Sequence, residues 1–170
     1  MSNTRKVSMG HDFLQKTGKM MCIQSFTTCN PRYSSRLQAL ASGFLIQAIN
    51  RGYTGRYVLF QDLVDEIFAS AADHSEAKIL KRYLSYDILA IDEMGYLEME
   101  PAQVGLFFNL MQKRHRKKPT LITSNLGFSE WTSFLKNDHL TAALVDRLTE
   151  LSYVINMKRC VSLRPKLGQL

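Results

Sequence analysis

Apolar residues in this chain fall into short solid runs separated by longer stretches with helical spacing. Residues 37–50 (LQALASGFLIQAIN) are apolar on nearly every side, which predicts a buried helix closed by Arg51-Gly52, with Gly52 as its C-terminal cap. Residues 57–60 (YVLF) predict a short strand. A helix is expected over residues 61–72, with Leu63, Val64 and Ile67 inward, and a second over residues 75–84. Residues 88–91 (ILAI) form another strand-like run, and Leu121-Ile122 begins a third. Between those two, Val104, Phe107, Phe108 and Met111 follow the i, i+3, i+4, i+7 spacing of a core-facing helix. Upstream, Met20-Met21-Cys22-Ile23 offers a possible first strand.

Short, fully apolar strands alternating with helices imply a parallel sheet covered on both faces. Ligands of such sheets bind outside the carboxyl ends of the strands. Here those ends are polar: Gln61-Asp62 follows the first run, Asp92-Glu93 the second and Thr123-Ser124-Asn125 the third. The pattern therefore predicts where a site should lie before it says what the site binds.

Composition adds bounds rather than a function. The 170 residues suffice for one domain with a core, and 45% hydrophobic with 22% charged residues is ordinary globular composition. No apolar run approaches a membrane span, and the opening MSNTRKVSMGHDF has no secretory apolar region, so a cytoplasmic location is expected. Cys22, Cys29 and Cys160 lack metal-site spacing and read as free thiols. A net charge of +7 fits an acidic partner, nucleic acid first, or simple solubility.

Several residues could carry chemistry. Asp92 and Glu93, two acids ending an apolar strand, could hold Mg²⁺ and orient a water, or could be an ordinary solvated strand end. Asn125 could bond a γ-phosphate or an attacking water, or cap the turn before Phe128-Ser129. Arg147 follows Leu140 by seven residues and so falls within the apolar stripe of a helix near residues 139–151. A guanidinium there needs a partner: a carboxylate in the same domain, or the phosphates of a nucleotide in a neighbouring subunit. The run KRHRKK, with Lys113, Arg114, Arg116, Lys117 and Lys118, closes a helix and reads either as a solvated end or as a contact for the DNA backbone.

Taken in order and spacing, these residues resemble the IstB-like helper ATPases of transposons and the related DnaC-like helicase loaders, a branch of the AAA+ ATPases. The resemblance runs over residues 40–166. It passes through Leu40-Ala41, Arg51-Gly52-Tyr53, residues 86–97 (YDILAIDEMGYL), 122–126 (ITSNL), 128–131 (FSEW), 142–148 (AALVDRL) and 154–156 (VIN). It implies a three-layer P-loop NTPase fold, ATP and Mg²⁺ as cofactors, and DNA with a transposase or replicative helicase as partners. It also implies a homo-oligomer when nucleotide is bound. By the resemblance, Asp92 stands at the Walker B magnesium ligand, Glu93 at the catalytic glutamate, Asn125 at sensor 1 and Arg147 at the arginine finger. Arg164 matches, with a one-residue shift, a C-terminal arginine that approaches the nucleotide.

The match breaks at the phosphate-gripping loop. The family's glycine-rich Walker A loop, ending in Gly-Lys-Thr, should fill residues 31–38, where this chain has PRYSSRLQ. Leu37 stands where lysine should reach the β and γ phosphates, and Gln38 where a hydroxyl should bind Mg²⁺. Without glycines, the backbone cannot readily curl its N–H groups around phosphates. The chain thus divides into a divergent segment, residues 1–36, and a partial family core, residues 37–170. Three readings remain: an ATP-binding helper whose hydrolysis lacks its usual grip, a catalytically inactive module that binds DNA or transposase, and a frameshifted or decayed relative.

Overall fold

The structure, a computed structural model, describes residues 20–24, 34–72, 74–96, 99–150 and 152–156. Five strands appear among them: β1 (Met20–Gln24), β2 (Gly55–Leu59), β3 (Ile88–Met94), β4 (Thr120–Ser124) and β5 (Ser152–Asn156). The helices are α1 (Ser34–Ile49), α2 (Phe60–Ala72), α3 (Glu76–Ser85), α4 (Pro101–Arg114), α5 (Trp131–Leu135) and α6 (Asp138–Glu150), with a 3₁₀ turn at Phe128–Glu130. The strands form one sheet in the order β2-β3-β4-β1-β5, and every pairing is parallel. Each expected strand and helix is present. The strand read at residues 57–60 begins two residues earlier, because Gly55 already pairs with Ile88, and Phe60 turns into α2.

Alternation along β3 assigns the two faces. Ile88 and Ala90 pack with Leu37, Leu45 and Ala48 of α1 and with Leu121 of β4. Leu89 and Ile91 point the other way, into the larger core with Leu63 and Ile67 of α2, Phe107 and Leu110 of α4, and Leu144 and Leu148 of α6. Both faces of β3 are therefore dry, which is why its sequence is a solid apolar run and not an alternating one. Helices cover both sides, giving the three-layer α/β architecture expected from the pattern. At the end of α1 the Gly52 N–H donates to the Ile49 carbonyl (2.9 Å) with φ +90°, the left-handed cap expected of that glycine.

Candidate nucleotide site

At the carboxyl end of β3 the ladder slips. Ile91 pairs with Ile122 and Met94 with Ser124, so Asp92 and Glu93 together face the single residue Thr123. This is a β-bulge, and Glu93 takes it up with φ +62°, a left-handed conformation that non-glycine residues seldom adopt. The Thr123 hydroxyl ties the bulge together: it donates to Asp92 Oδ1 and accepts the Glu93 N–H at 3.1 Å. Regular alternation would send the two acids to opposite faces. The bulge instead buries Asp92, 2% exposed, and leaves Glu93 open at the rim. Glu93 lines a cleft of about 240 Å³ with Leu59, Phe60, Gln61 and Tyr96.

One residue beyond the strand, Gly95 has φ +105°, and a Cβ there would lie 2.5 Å from Leu126 Cδ1 and 3.3 Å from Asn125 Oδ1. Only glycine lets the end of β3 approach the end of β4 so closely. Asn125 Oδ1 is buried and has no hydrogen-bond partner among the described residues. Buried polar atoms are seldom left so, which marks Asn125 as a candidate acceptor at this strand end. Asp92, Glu93 and Asn125, picked from the sequence, thus converge at adjoining strand ends.

One further residue at this end, Tyr57, carries no signal of its own in the sequence. The Tyr57 hydroxyl, from β2, donates to Asp92 Oδ2, while Gln38 of α1 hydrogen-bonds to Tyr57. Burial, with the adjoining Asp92 carboxylate, pushes the Tyr57 phenol well above its ordinary pKa. Both Asp92 oxygens are therefore occupied by hydroxyl donors, from Tyr57 and from Thr123. Leu37, where the resemblance puts the phosphate-binding lysine, is 5% exposed in the apolar cluster under α1. Among the described residues no group of three or more His, Cys, Asp or Glu side chains could hold a metal ion. As the side chains stand, the donor set does not fit Mg²⁺.

The remaining candidates separate from this site. Arg147 is half-buried on α6, with its guanidinium 4.9 Å from the centre of the Phe108 ring and donating to the Ala143 carbonyl at 2.8 Å. The partner demanded by its place in the apolar stripe is thus an aromatic face and a carbonyl rather than a carboxylate. Arg164 lies outside the described residues.

The basic run behaves least like its sequence. Arg114 is 0% exposed and cannot touch DNA. It donates to the carbonyls of Tyr83 (2.9 Å), Tyr86 (3.0 Å) and Pro119 (2.8 Å) and to the Thr120 hydroxyl (3.0 Å), with the Asp87 carbonyl at 3.4 Å. Burial pulls its pKa down to about 10, opposed by the nearby Asp87 carboxylate, so it stays charged at neutral pH. Arg116 pairs with Glu150, and Lys118 donates to the Ser85 carbonyl at 2.8 Å. Lys113 and Lys117 remain exposed beside a cleft of about 380 Å³ that Leu84 and Lys118 also line. This surface precedes β3 and β4, so it lies at the amino ends of the strands, a strand length (~16 Å) from Asp92.

A parallel sheet in this order, flanked by helices on both faces, is the fold of the AAA+ P-loop ATPases, and solved structures of that class superpose on it. The DnaC helicase loader aligns with a TM-score of 0.71 at 19% identity, over 92% of this chain and 90% of that one. DnaI aligns equally well, at 17% identity over 90% of this chain and 83% of its own. Residues 37–167 match the family described as IstB-like ATP binding protein, and the chain belongs to that family. Among relatives, the insertion sequence IS21 putative ATP-binding protein of Pseudomonas aeruginosa is 34% identical over 123 residues, 70% of this chain and 45% of the relative. The IS5376 putative ATP-binding protein of Geobacillus stearothermophilus is 32% identical over 119 residues, 70% of this chain and 47% of the relative. The chain spans about half the length of the curated relatives it matches.

Proposed function

We propose that this chain is an ATP-binding helper of DNA transposition or replication that docks nucleotide at the carboxyl ends of β3 and β4. The observation that carries the reading is the bulge at Asp92-Glu93 beside the unpartnered Asn125 oxygen, in a member of an ATP-binding family. A backbone outlier held in place by a threonine and a glycine is the kind of strain that persists at ligand sites. Asn125 would accept from, or through its amide donate to, the nucleotide, and Glu93 would orient a water at the rim. Arg147 would serve a neighbouring subunit of a homo-oligomer only after leaving the Phe108 ring. Exposed Lys113 and Lys117 would meet the DNA backbone at the opposite end of the sheet, where bound nucleotide does not obstruct them. The partner protein is a transposase or replicative helicase. No helix among the described residues is long and apolar enough to cross a membrane, and the setting we propose is the cytoplasm.

A second reading has its own observation. Leu37 is buried in apolar contacts where a lysine should reach phosphate, which favours a module that engages DNA and transposase without nucleotide. Titrating the protein with a fluorescent ATP analogue separates the two. Saturable binding in the micromolar range, weakened by Asn125→Ala and Glu93→Gln, is expected of the first. Absence of binding at millimolar analogue, with DNA binding retained, would establish the second.

A further inference from the structure

The two side chains that the family resemblance puts beside the metal, Gln38 and Asp92, are not open to one another in this chain. A single hydroxyl, that of Tyr57, bridges them: it donates to Asp92 Oδ2 and is met by the Gln38 side chain. The geometry follows from register. Tyr57 pairs with Ala90, and Asp92 lies two residues further along β3 on the same face, the one covered by α1. Two residues of strand advance by about 6.6 Å, a span that a phenol covers and a shorter side chain does not. Thr123 closes the other oxygen from β4, so the carboxylate is capped from both neighbouring strands at once. Asp92, at 2% exposed, would be an expensive charge to bury without such donors.

We infer that the Tyr57 hydroxyl is a built-in substitute for the divalent cation at Asp92, holding the site in a metal-free form, and that removing it restores cation binding. This deepens the nucleotide-site reading above and rests on it for the identity of Asp92 as the would-be metal ligand. A hydroxyl satisfies the carboxylate's hydrogen bonding where a cation would otherwise sit, so a triphosphate that arrives with its own cation must first displace Tyr57 from Asp92 Oδ2. Tyr57 is a positioning residue, acting through Asp92.

The test uses the full chain and Mn²⁺ alone, read by loss of the free-ion EPR signal, so the outcome does not depend on whether nucleotide binds. Wild type is expected to leave millimolar Mn²⁺ free. Tyr57→Phe, which keeps the ring and removes only the oxygen, should bind at least about tenfold more tightly, the fold-change set by one charge-assisted hydrogen bond. Adding Asp92→Asn to Tyr57→Phe should abolish that gain. In parallel, thermal midpoints of the two single variants and the double should be non-additive, because both singles break the same bond. Mn²⁺ binding by Tyr57→Phe no tighter than wild type, or additive midpoints, would overturn the inference. The wild-type arm decides even if the phenylalanine variant does not fold: tight Mn²⁺ binding by wild type that Asp92→Asn removes would also overturn it. Failure of an ATP analogue to bind, with the Mn²⁺ gain present, would count against the nucleotide reading and leave the role of Tyr57 standing.

Discussion

Replacing Arg114 with methionine should destabilise the domain far more than any other change in the basic run. The methionine stem fills much of the arginine's path, so the loss is one of donors. Four oxygens lie within 3.0 Å of the guanidinium: the carbonyls of Tyr83, Tyr86 and Pro119, and the Thr120 hydroxyl. Each buried acceptor left unpaired costs about 1–3 kcal/mol, and those nearest the surface regain water. Taking about half of them as rehydrated gives a loss of roughly 2–6 kcal/mol. For a chain of this size that is a fall in Tm of about 4–24 °C. Arg114→Lys keeps the charge but offers a single ammonium where a planar fork reached several oxygens, so it should fall between the two. Urea unfolding followed by far-UV circular dichroism reads the difference as a shift in midpoint at unchanged slope. A methionine variant within about 0.5 kcal/mol of wild type, the range of an ordinary surface change, would refute the view that this arginine clamps α3 and α4 to the strand starts.

Three other outcomes follow from the same structure. Gly95→Ala forces a Cβ into Leu126 at a φ of +105° and should cost about 1–3 kcal/mol, read by thermal unfolding; an unchanged midpoint would mean the end of β3 is not held against β4. The Asp87 carboxyl is held below its ordinary pKa by the hydroxyl and N–H of Thr54, at 2.6 and 2.9 Å, so its contribution is present above about pH 4 and is lost as pH falls through the lowered value. Thr54→Val should therefore be less stable than wild type at neutral pH, and the gap should close in acid; a gap that widens there would invert the assignment. Charge reversal at Lys113 and Lys117 should weaken DNA binding regardless of sequence and make log K less steep against log salt, by about one for each phosphate no longer neutralised. An unchanged slope would move the DNA-binding surface elsewhere.

Periodicity makes the sheet and helices legible because both faces of β3 are buried, which writes ILAI as an uninterrupted apolar run. The site is half legible. Polar residues at strand ends point to Asp92, Glu93 and Asn125, but a bulge cannot be read from composition, and only the register separates the buried acid from the exposed one. Tyr57 stays hidden because its ring fits an apolar strand, and only its hydroxyl tip does anything else. Arg114 is disguised by the basic residues on either side of it. A signal does exist: it follows Phe107 by seven residues, so it continues the inward stripe of α4, the same argument that singles out Arg147. Arg147 itself meets an aromatic ring, a partner that charge pairing does not suggest.

The place of β1 has a consequence for anyone who would trim this chain. The family match begins at residue 37, yet β1, at Met20–Gln24, is the strand between β4 and β5. Its register joins Met20 to Thr120 on one side and to Ser152 on the other. A version cut back to the matched segment would leave β5 with no neighbour in the sheet and would open the backbone of β4 to solvent. Open ladders of N–H and C=O groups recruit strands from other molecules. Such a fragment should be sticky, gathering into aggregates or exchanging strands between copies, even though every residue the family recognises is still present.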